Sequence, residues 1–432
     1  MAAFKGEDEV VELCRDLIRI DTTNAGDNAG PGERVAAEYV AGKLAEVGLE
    51  PRILESDSRR ASVIARIEGE DPARGALLLH GHLDVVPFNA GDWTHHPLSG
   101  EVADGCVWGR GAVDMKDMDA MILAVVRQRL SEGRRPPRDV VLAFTADEEA
   151  GGKYGAQWLA QRHKDLFEGC TEAIGEVGGF SVSLDEARRL YLIEAAEKGI
   201  AWMRLTASGR AGHGSMLNSE NAVTELAEAV ARLGRYEWPV RLTPTVRAFF
   251  QEAFEIELDA EDAEATAAKL GPLARMIGAT LRNTVNPTML DAGYKANVIP
   301  QTATAHVDGR FLPGYEEEFF ATVDELLGPN VTREFVYHDI AVETSFDGPL
   351  VRAMAEALLA EDPGARAVPY TLSGGTDLKA FSRLGIRGFG FAPLKLPADL
   401  DFSGMFHGID ERVPVDSLRF GVRVLDRFLD GC

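Results

Sequence analysis

Basic residues are in short supply: 45 Lys and Arg stand against 69 Asp and Glu, a formal net charge of −24 at pH 7. A surface that acidic repels phosphate backbones and anionic headgroups, so neither nucleic acid nor a membrane surface is expected as a partner. Long apolar runs are missing as well, and nothing approaches the roughly 18 residues of a membrane-spanning helix. The opening MAAFKGEDEVVELCRDLIRID turns acidic early, with no basic segment leading into an apolar core, so a secretory leader is not expected. Cysteine is scarce. Cys14, Cys106, Cys170 and Cys432 show no CxxC spacing, which argues against a thiolate metal site or a disulfide framework and for free thiols in a reducing cytoplasm. Internal repeats and low-complexity tracts are also absent.

What is present is a chain of 432 residues, long enough that two domains are expected, with 45% hydrophobic and 26% charged residues. Its first half alternates helices and strands. Val10, Val11, Cys14, Leu17 and Ile18 have helical spacing. A second helix after Pro31-Gly32 is expected to bury Val35, Tyr39, Val40, Leu44 and Val47 and to stop at Gly48. Residues 62–67, 76–79 and 140–145 read as strands, 118–130 and 155–167 as helices, and 173–176 as a further strand end. Apolar strands alternating with helices point to an α/β domain with a mostly parallel central sheet.

From Lys198 the texture changes. KGIAWMRLTASG alternates, with Ala201, Met203 and Leu205 on one face, and a helix bearing Val223, Leu226, Val230 and Leu233 follows. After an Ala/Glu-rich insertion at about 238–277 come strands at 288–292 and 298–311, a helix with Phe319, Phe320, Val323, Leu326 and Leu327, and a strand at 331–337. Strand, helix, strand, strand, helix, strand is the ferredoxin-like order. Residues 197–343 are therefore expected to form an inserted α+β domain, with 1–196 and 344–432 making the α/β domain around it and a last helix at 415–429.

The chemistry gathers first in residues 80–116, HGHLDVVPFNAGDWTHHPLSGEVADGCVWGRGAVDMK. His80, His82 and Asp84 end an apolar strand, and Asp114 sits in a Gly-rich turn. An imidazole with a nearby carboxylate is what a metal ligand and its tautomer-fixing partner require. Further His or carboxylate groups follow other apolar runs: Glu148-Glu149 after 140–145, Glu176 after 173–175, and His407 in the loop beyond 385–391. In open α/β sheets such positions converge at the carboxyl ends of the strands. Nitrogen and oxygen donors without thiolate suit a catalytic zinc, with manganese or cobalt as alternatives. Of two adjacent glutamates, one can ligate while the other stays free as a general base.

The strings HGHLDVVP, GRGAVDMK, TADEEAGG, GEVGG, RAGHGS, KANVIPQTATAHVDGRFLPG, SGGTD and FHGIDERVPV occur in this order. Together they resemble the zinc-dependent metallopeptidase superfamily that includes aminoacylase-1, glutamate carboxypeptidase, acetylornithine deacetylase and succinyl-diaminopimelate desuccinylase. The resemblance implies a zinc-peptidase-like catalytic domain interrupted by a ferredoxin-like lid through which the protein forms a homodimer. It implies two zinc ions: His82 and Glu176 on the first, Glu149 and His407 on the second, Asp114 bridging them in a peptide often cis in relatives, and Asp84 orienting His82. Glu148 would be the general base acting on a metal-bridged water, and His213 would reach across the dimer to the partner's site. His80 would lie buried beside the site without ligating.

Substrate-binding positions implied in the same way are Asn297 and Arg310; the turn Ser373, Gly374, Gly375 and Thr376 reads as a further one from its residues, with a plain Gly-rich turn as the alternative. That turn precedes an expected helix at 378–384 whose start suits a carboxylate. Arg310 has a structural reading too, as an ion-pair partner. The resemblance implies hydrolysis of an amide next to a free amino-acid carboxylate, in an N-acyl amino acid or a short peptide. Glu at position 176 favours carboxypeptidase and acylase members over aminopeptidases, which remain the alternative along with a non-catalytic metal-binding homologue. The stretch DIAVETSFDGP lacks the basic residue that many glutamate-specific relatives carry there, which argues against a dicarboxylate substrate. Asp117 stands where relatives usually have Gly.

Overall fold

The computed structural model describes residues 4–26, 28–185, 188–270 and 273–432; residues 271–272 of the expected insertion lie outside them. The chain divides into two compact units. The first runs to Ala195 and resumes over Thr344–Tyr370 and Thr376–Cys432; the second comprises Ala196–Glu343 and Thr371–Gly375.

In the first unit a mixed sheet runs in the order Arg52–Asp57, Arg60–Ile67, Val140–Thr145, Ala76–His82, Cys170–Gly175, Arg387–Gly390 and Arg189–Glu197. The four strands from Val140–Thr145 to Arg387–Gly390 are mutually parallel, and the flanking pairs are antiparallel. Every residue of Val140–Thr145 and Ala76–His82 is buried, as strands covered by helices on both faces must be. On one face Leu78, Val141 and Ala173 join Leu159, Phe167 and Phe381 in a core cluster. Helices Gly6–Arg19, Lys116–Ser131 and Val415–Gly431 pack on one another.

The helix Arg34–Ala45 differs from expectation. It buries Ala36, Ala37, Val40 and Leu44, while Val35 is 61% exposed. Nine residues at about 100° each put Val35 opposite Leu44, so small alanines rather than Val35 form the inner stripe. The edge strand Arg52–Asp57, half exposed along its length, lacks the alternation that would have marked it in sequence.

The second unit has a four-stranded antiparallel sheet in the order Thr284–Ala292, Thr302–Phe311, Gly199–Ser208, Val331–Asp339. With helices Ala222–Arg235 and Glu316–Leu327 this is the ferredoxin-like arrangement. Its core holds Ala201, Met203, Leu205, Leu226, Phe311, Phe319 and Val323. The stretch expected as one strand over 298–311 is broken at Pro300-Gln301: Val298–Ile299 pairs instead with Gly212–His213 in a separate two-stranded sheet. Pro300 has no N–H to continue the ladder. The insertion folds as short helices, Pro244–Phe254, Ala263–Ala267 and Ala274–Gly278.

Candidate metal centre

Three neighbouring parallel strands end at the same side of the first unit's sheet, and each delivers site residues there. His82 is the last residue of Ala76–His82, Glu176 follows Cys170–Gly175, and the turn Glu148–Ala150 comes just after Val140–Thr145. His82 and Glu176 thus lie at the ends of adjacent strands, which pair in parallel as far as Leu79 and Ile174. Asp114 lies in the turn before helix Lys116–Ser131, its peptide to Met115 cis as the resemblance implied. His407 comes from the loop between Arg387–Gly390 and Arg412–Pro414.

These side chains form two groups that share one carboxylate: His82, Asp114 and Glu176, then Asp114, Glu149 and His407, with ligand atoms in each group within 4.8 Å of one another. Asp114 divides its oxygens between them. Its Oδ1 is 3.1 Å from His82 Nε2 and its Oδ2 is 3.3 Å from His407 Nε2. Glu176 Oε2 lies 3.5 Å from His82 Nε2, and Glu149 Oε2 lies 3.2 Å from His407 Nε2. Glu148 Oε2 stands 4.0 Å from His82 Nε2 yet belongs to neither group.

The electrostatics are those of crowded acid. Burial, then Glu176, push the Glu148 carboxyl well above its usual range; burial and Asp114 lift Glu149 to about 7. Burial works against a charged His82, but Glu176, Asp114 and Glu148 hold its pKa well above the ordinary value. Hydrogen bonds to Asp114 and Glu149 carry His407 to about 10. Positive charge is what the cluster needs, and Glu149 Oε1 is buried without a hydrogen-bond partner. An imidazole and two carboxylates converging twice, with no thiolate, fit a hard or borderline divalent cation.

Asp84 does something other than orient His82 through its carboxylate. The ring's Nδ1 is 3.0 Å from the Asp84 backbone oxygen but 3.7 Å from the carboxylate. That carboxylate, fully buried, instead accepts the backbone N–H of Glu148 at 3.0 Å and of Glu149 at 3.2 Å, and the Asn24 amide at 2.8 Å. Asn24 Nδ2 also reaches Asp147 at 3.1 Å, its oxygen accepts from Arg60 at 3.0 Å, and Arg60 pairs with buried Glu33. Asp147 itself takes a left-handed φ of 66°, a conformation Asp adopts more readily than most residues.

His80 is buried and belongs to neither group: burial drives its imidazole down to about 3, and its ring packs 5.1 Å from that of Phe381. Asp117 is 2% exposed, with its carboxyl pushed well up by burial. Asp377, quoted in the sequence only as the end of a Gly-rich string, accepts the Thr145 hydroxyl at 2.6 Å, and burial lifts it to about 8. The helix beyond it, Leu378–Ser382, is one short turn, and Thr376 Oγ1 already accepts the Leu378 N–H at 3.1 Å.

Ser373, Gly374 and Gly375 belong to the second unit, as do His213, Asn297 and Arg310; only Thr376 groups with the metal-site residues. Arg310 pairs with Asp308 two residues earlier on its own strand, Nε to Oδ1 at 2.6 Å, which is the structural alternative read in sequence. Asn297 is exposed, and its backbone oxygen accepts from Gly214. His213 is exposed, and its Nδ1 accepts the Ser215 N–H at 3.2 Å.

A helix-covered mixed sheet that gathers paired carboxylate–imidazole groups at its strand ends defines a metal-dependent hydrolase. More specifically, the chain belongs to Peptidase family M20/M25/M40, whose profile matches residues 78–431. It is 26% identical to aminoacylase-1 of Sus scrofa over 431 residues, covering 98% of this chain and 95% of that one. A probable carboxypeptidase S-like 2 of Dictyostelium discoideum is 29% identical over 384 residues, 83% of this chain and 72% of the relative. The M20 family metallo-carboxypeptidase Sso-CP2 of Sulfolobus solfataricus superposes with a TM-score of 0.75 at 18% identity, over 98% of both chains. The protein is thus an amide-bond hydrolase, and among the described residues no helix is long and apolar enough to cross a membrane.

Proposed function

We propose that the protein hydrolyses the amide bond next to a free amino-acid carboxylate, in an N-acyl amino acid or a short peptide. His82, Asp114 and Glu176 would hold one divalent ion, Asp114, Glu149 and His407 a second, and the donor chemistry favours zinc. Such ions polarise the scissile carbonyl and acidify water at the site. The observation that carries the reading is the placement of Glu148, 4.0 Å from His82 of the first group, next in sequence to Glu149 of the second, and a member of neither. Its carboxylate would take the proton of the attacking water and pass it to the leaving amine, a role worth about 10²–10⁴-fold in rate.

His213 supports a second element of the proposal. With Nδ1 accepting from Ser215, the ring N–H falls on Nε2, a donor free for an oxyanion in a partner subunit of a homodimer formed through the second unit. Glu148→Gln tests the central claim: hydrolysis of an N-acyl amino acid should fall by at least about 10²-fold while bound metal stays at the wild-type level. Retained activity would remove Glu148 as base.

A further inference from the structure

The two halves of the site are held in different ways. His82 is the last paired residue of its strand and Glu176 directly follows the adjacent one. Asp114 and His407 come from two loops almost 300 residues apart, and His407 is 59% exposed at a left-handed φ of 57°. Neither burial nor a strand holds His407 in place.

One buried ion pair joins the two loops. Arg110 is 3% exposed and Glu411 is fully buried. Arg110 Nη1 donates to Glu411 Oε2 at 2.8 Å. Arg110 Nη2 donates to the backbone oxygen of Gly408, the residue after His407, at 2.9 Å. Glu411 Oε1 accepts the N–H of Val113, the residue before Asp114, at 2.7 Å, and its backbone oxygen accepts from Gly109 at 3.0 Å. The Arg110 guanidinium also lies 5.0 Å from the centre of the Trp93 ring. Two of the second group's three ligands, Asp114 and His407, therefore have a backbone neighbour tied to the same pair, while Glu149 is held by Asp84. Burying two charges costs more desolvation than their attraction reliably returns, so stability alone is a poor reason for such a pair. The planar fork of arginine is suited to gripping a carboxylate and a carbonyl at once, which lysine cannot do.

We propose that Arg110 and Glu411 are positioning residues for the Asp114–Glu149–His407 half of the site, setting the distance between Asp114 and His407. This rests on the two-ion reading above and adds to it that the second ion, with two of its ligands held by the clamp, depends on it more than the first, which shares only Asp114. The test uses the full-length protein, stripped of metal and titrated with cobalt(II) by equilibrium dialysis, with the visible absorption of the bound ion recorded. Wild type should take up two equivalents. In Arg110→Lys and Glu411→Gln the second equivalent should bind about 10–100-fold more weakly, and the first should weaken by clearly less.

Equal weakening of both equivalents would assign the pair a merely structural role, and unchanged binding of both would likewise overturn the proposal while leaving the two-ion reading intact. Wild type binding fewer than two equivalents would sink that reading and the proposal with it. Thermal melts of the same samples identify unfolded protein. Should Glu411→Gln fail to fold, Arg110→Lys, which keeps the charge pair and loses only the fork, decides the matter alone.

Discussion

The carboxylate of Asp84 accepts the backbone N–H of Glu148 at 3.0 Å, and with its other oxygen that of Glu149 at 3.2 Å. One buried side chain at the end of a strand thus sets the turn that carries both the proposed base and a proposed ligand. Asp84→Asn keeps the volume, but its amide has a single acceptor oxygen where three donors converge. Such a change to a group supporting the ligands is expected to cost about 10–100-fold in metal affinity or activity. Metal titration and kcat on the same preparation check it. Wild-type values for both would mean the turn holds its shape without Asp84.

His80 and Gly175 make a second pair whose relation is steric. A Cβ on Gly175 would stand 2.1 Å from His80 Nε2. Gly175→Ala must therefore displace a buried ring or the strand that carries Glu176, at a cost of about 1–3 kcal/mol in thermal or urea unfolding. His80→Leu, similar in volume and without a charge to lose at neutral pH, should change stability by less than about 1.5 kcal/mol. It should bind metal like wild type, whereas His82→Leu should not. Metal loss in His80→Leu would make His80 more than a packing residue.

Much of this site was legible because its residues follow apolar runs. His82, Glu148, Glu149 and Glu176 each stand at or just past a buried parallel strand, and a parallel sheet aligns such ends by construction. His407 has no such marker, since it sits in a loop on a left-handed residue, and only the order of the longer strings brought it in. Side chains whose partners are remote were illegible. Arg110 and Glu411 are 301 residues apart, and Asn24 and Arg60 look like an ordinary loop amide and strand cation until the fold sets them beside Asp84 and Asp147. Local pattern erred where one face was misjudged, as for Val35, and where Pro300 interrupted what alternation alone would continue.

Protonation gives a third prediction. His407 is raised to about 10 and Glu149 to about 7, the first by hydrogen bonds to carboxylates and the second by burial. Both must lose their protons to ligate, so protons compete with the metal. Affinity at the second group should therefore rise with pH, first through 7 as Glu149 ionises and then onward towards 10 while His407 still binds a proton. Each proton displaced contributes about tenfold per pH unit, so the rise is steeper below 7, where two protons are lost, than above it, where one is. Competition dialysis of metal-free protein between pH 6 and 9 measures it. A flat profile would show that these groups enter the site already deprotonated.

The direction of cleavage can be decided with four blocked and unblocked forms of one dipeptide. If recognition rests on the substrate's carboxylate, acetylating the amino end leaves the group that is bound untouched and removes only a positive charge. Amidating the carboxyl end removes the anchoring anion. A lost charge-assisted contact of that kind costs about 1.5–3 kcal/mol, or about 10–150-fold in kcat/KM at 1.36 kcal/mol per tenfold. The expected order is therefore N-acetylated and free dipeptides cleaved at comparable rates, with both C-amidated forms slower by that factor. Cleavage of the C-amidated peptide with rejection of the N-acetylated one would make the protein an aminopeptidase. The metal centre and Glu148 would keep their assignments, because neither depends on which end of the substrate is anchored.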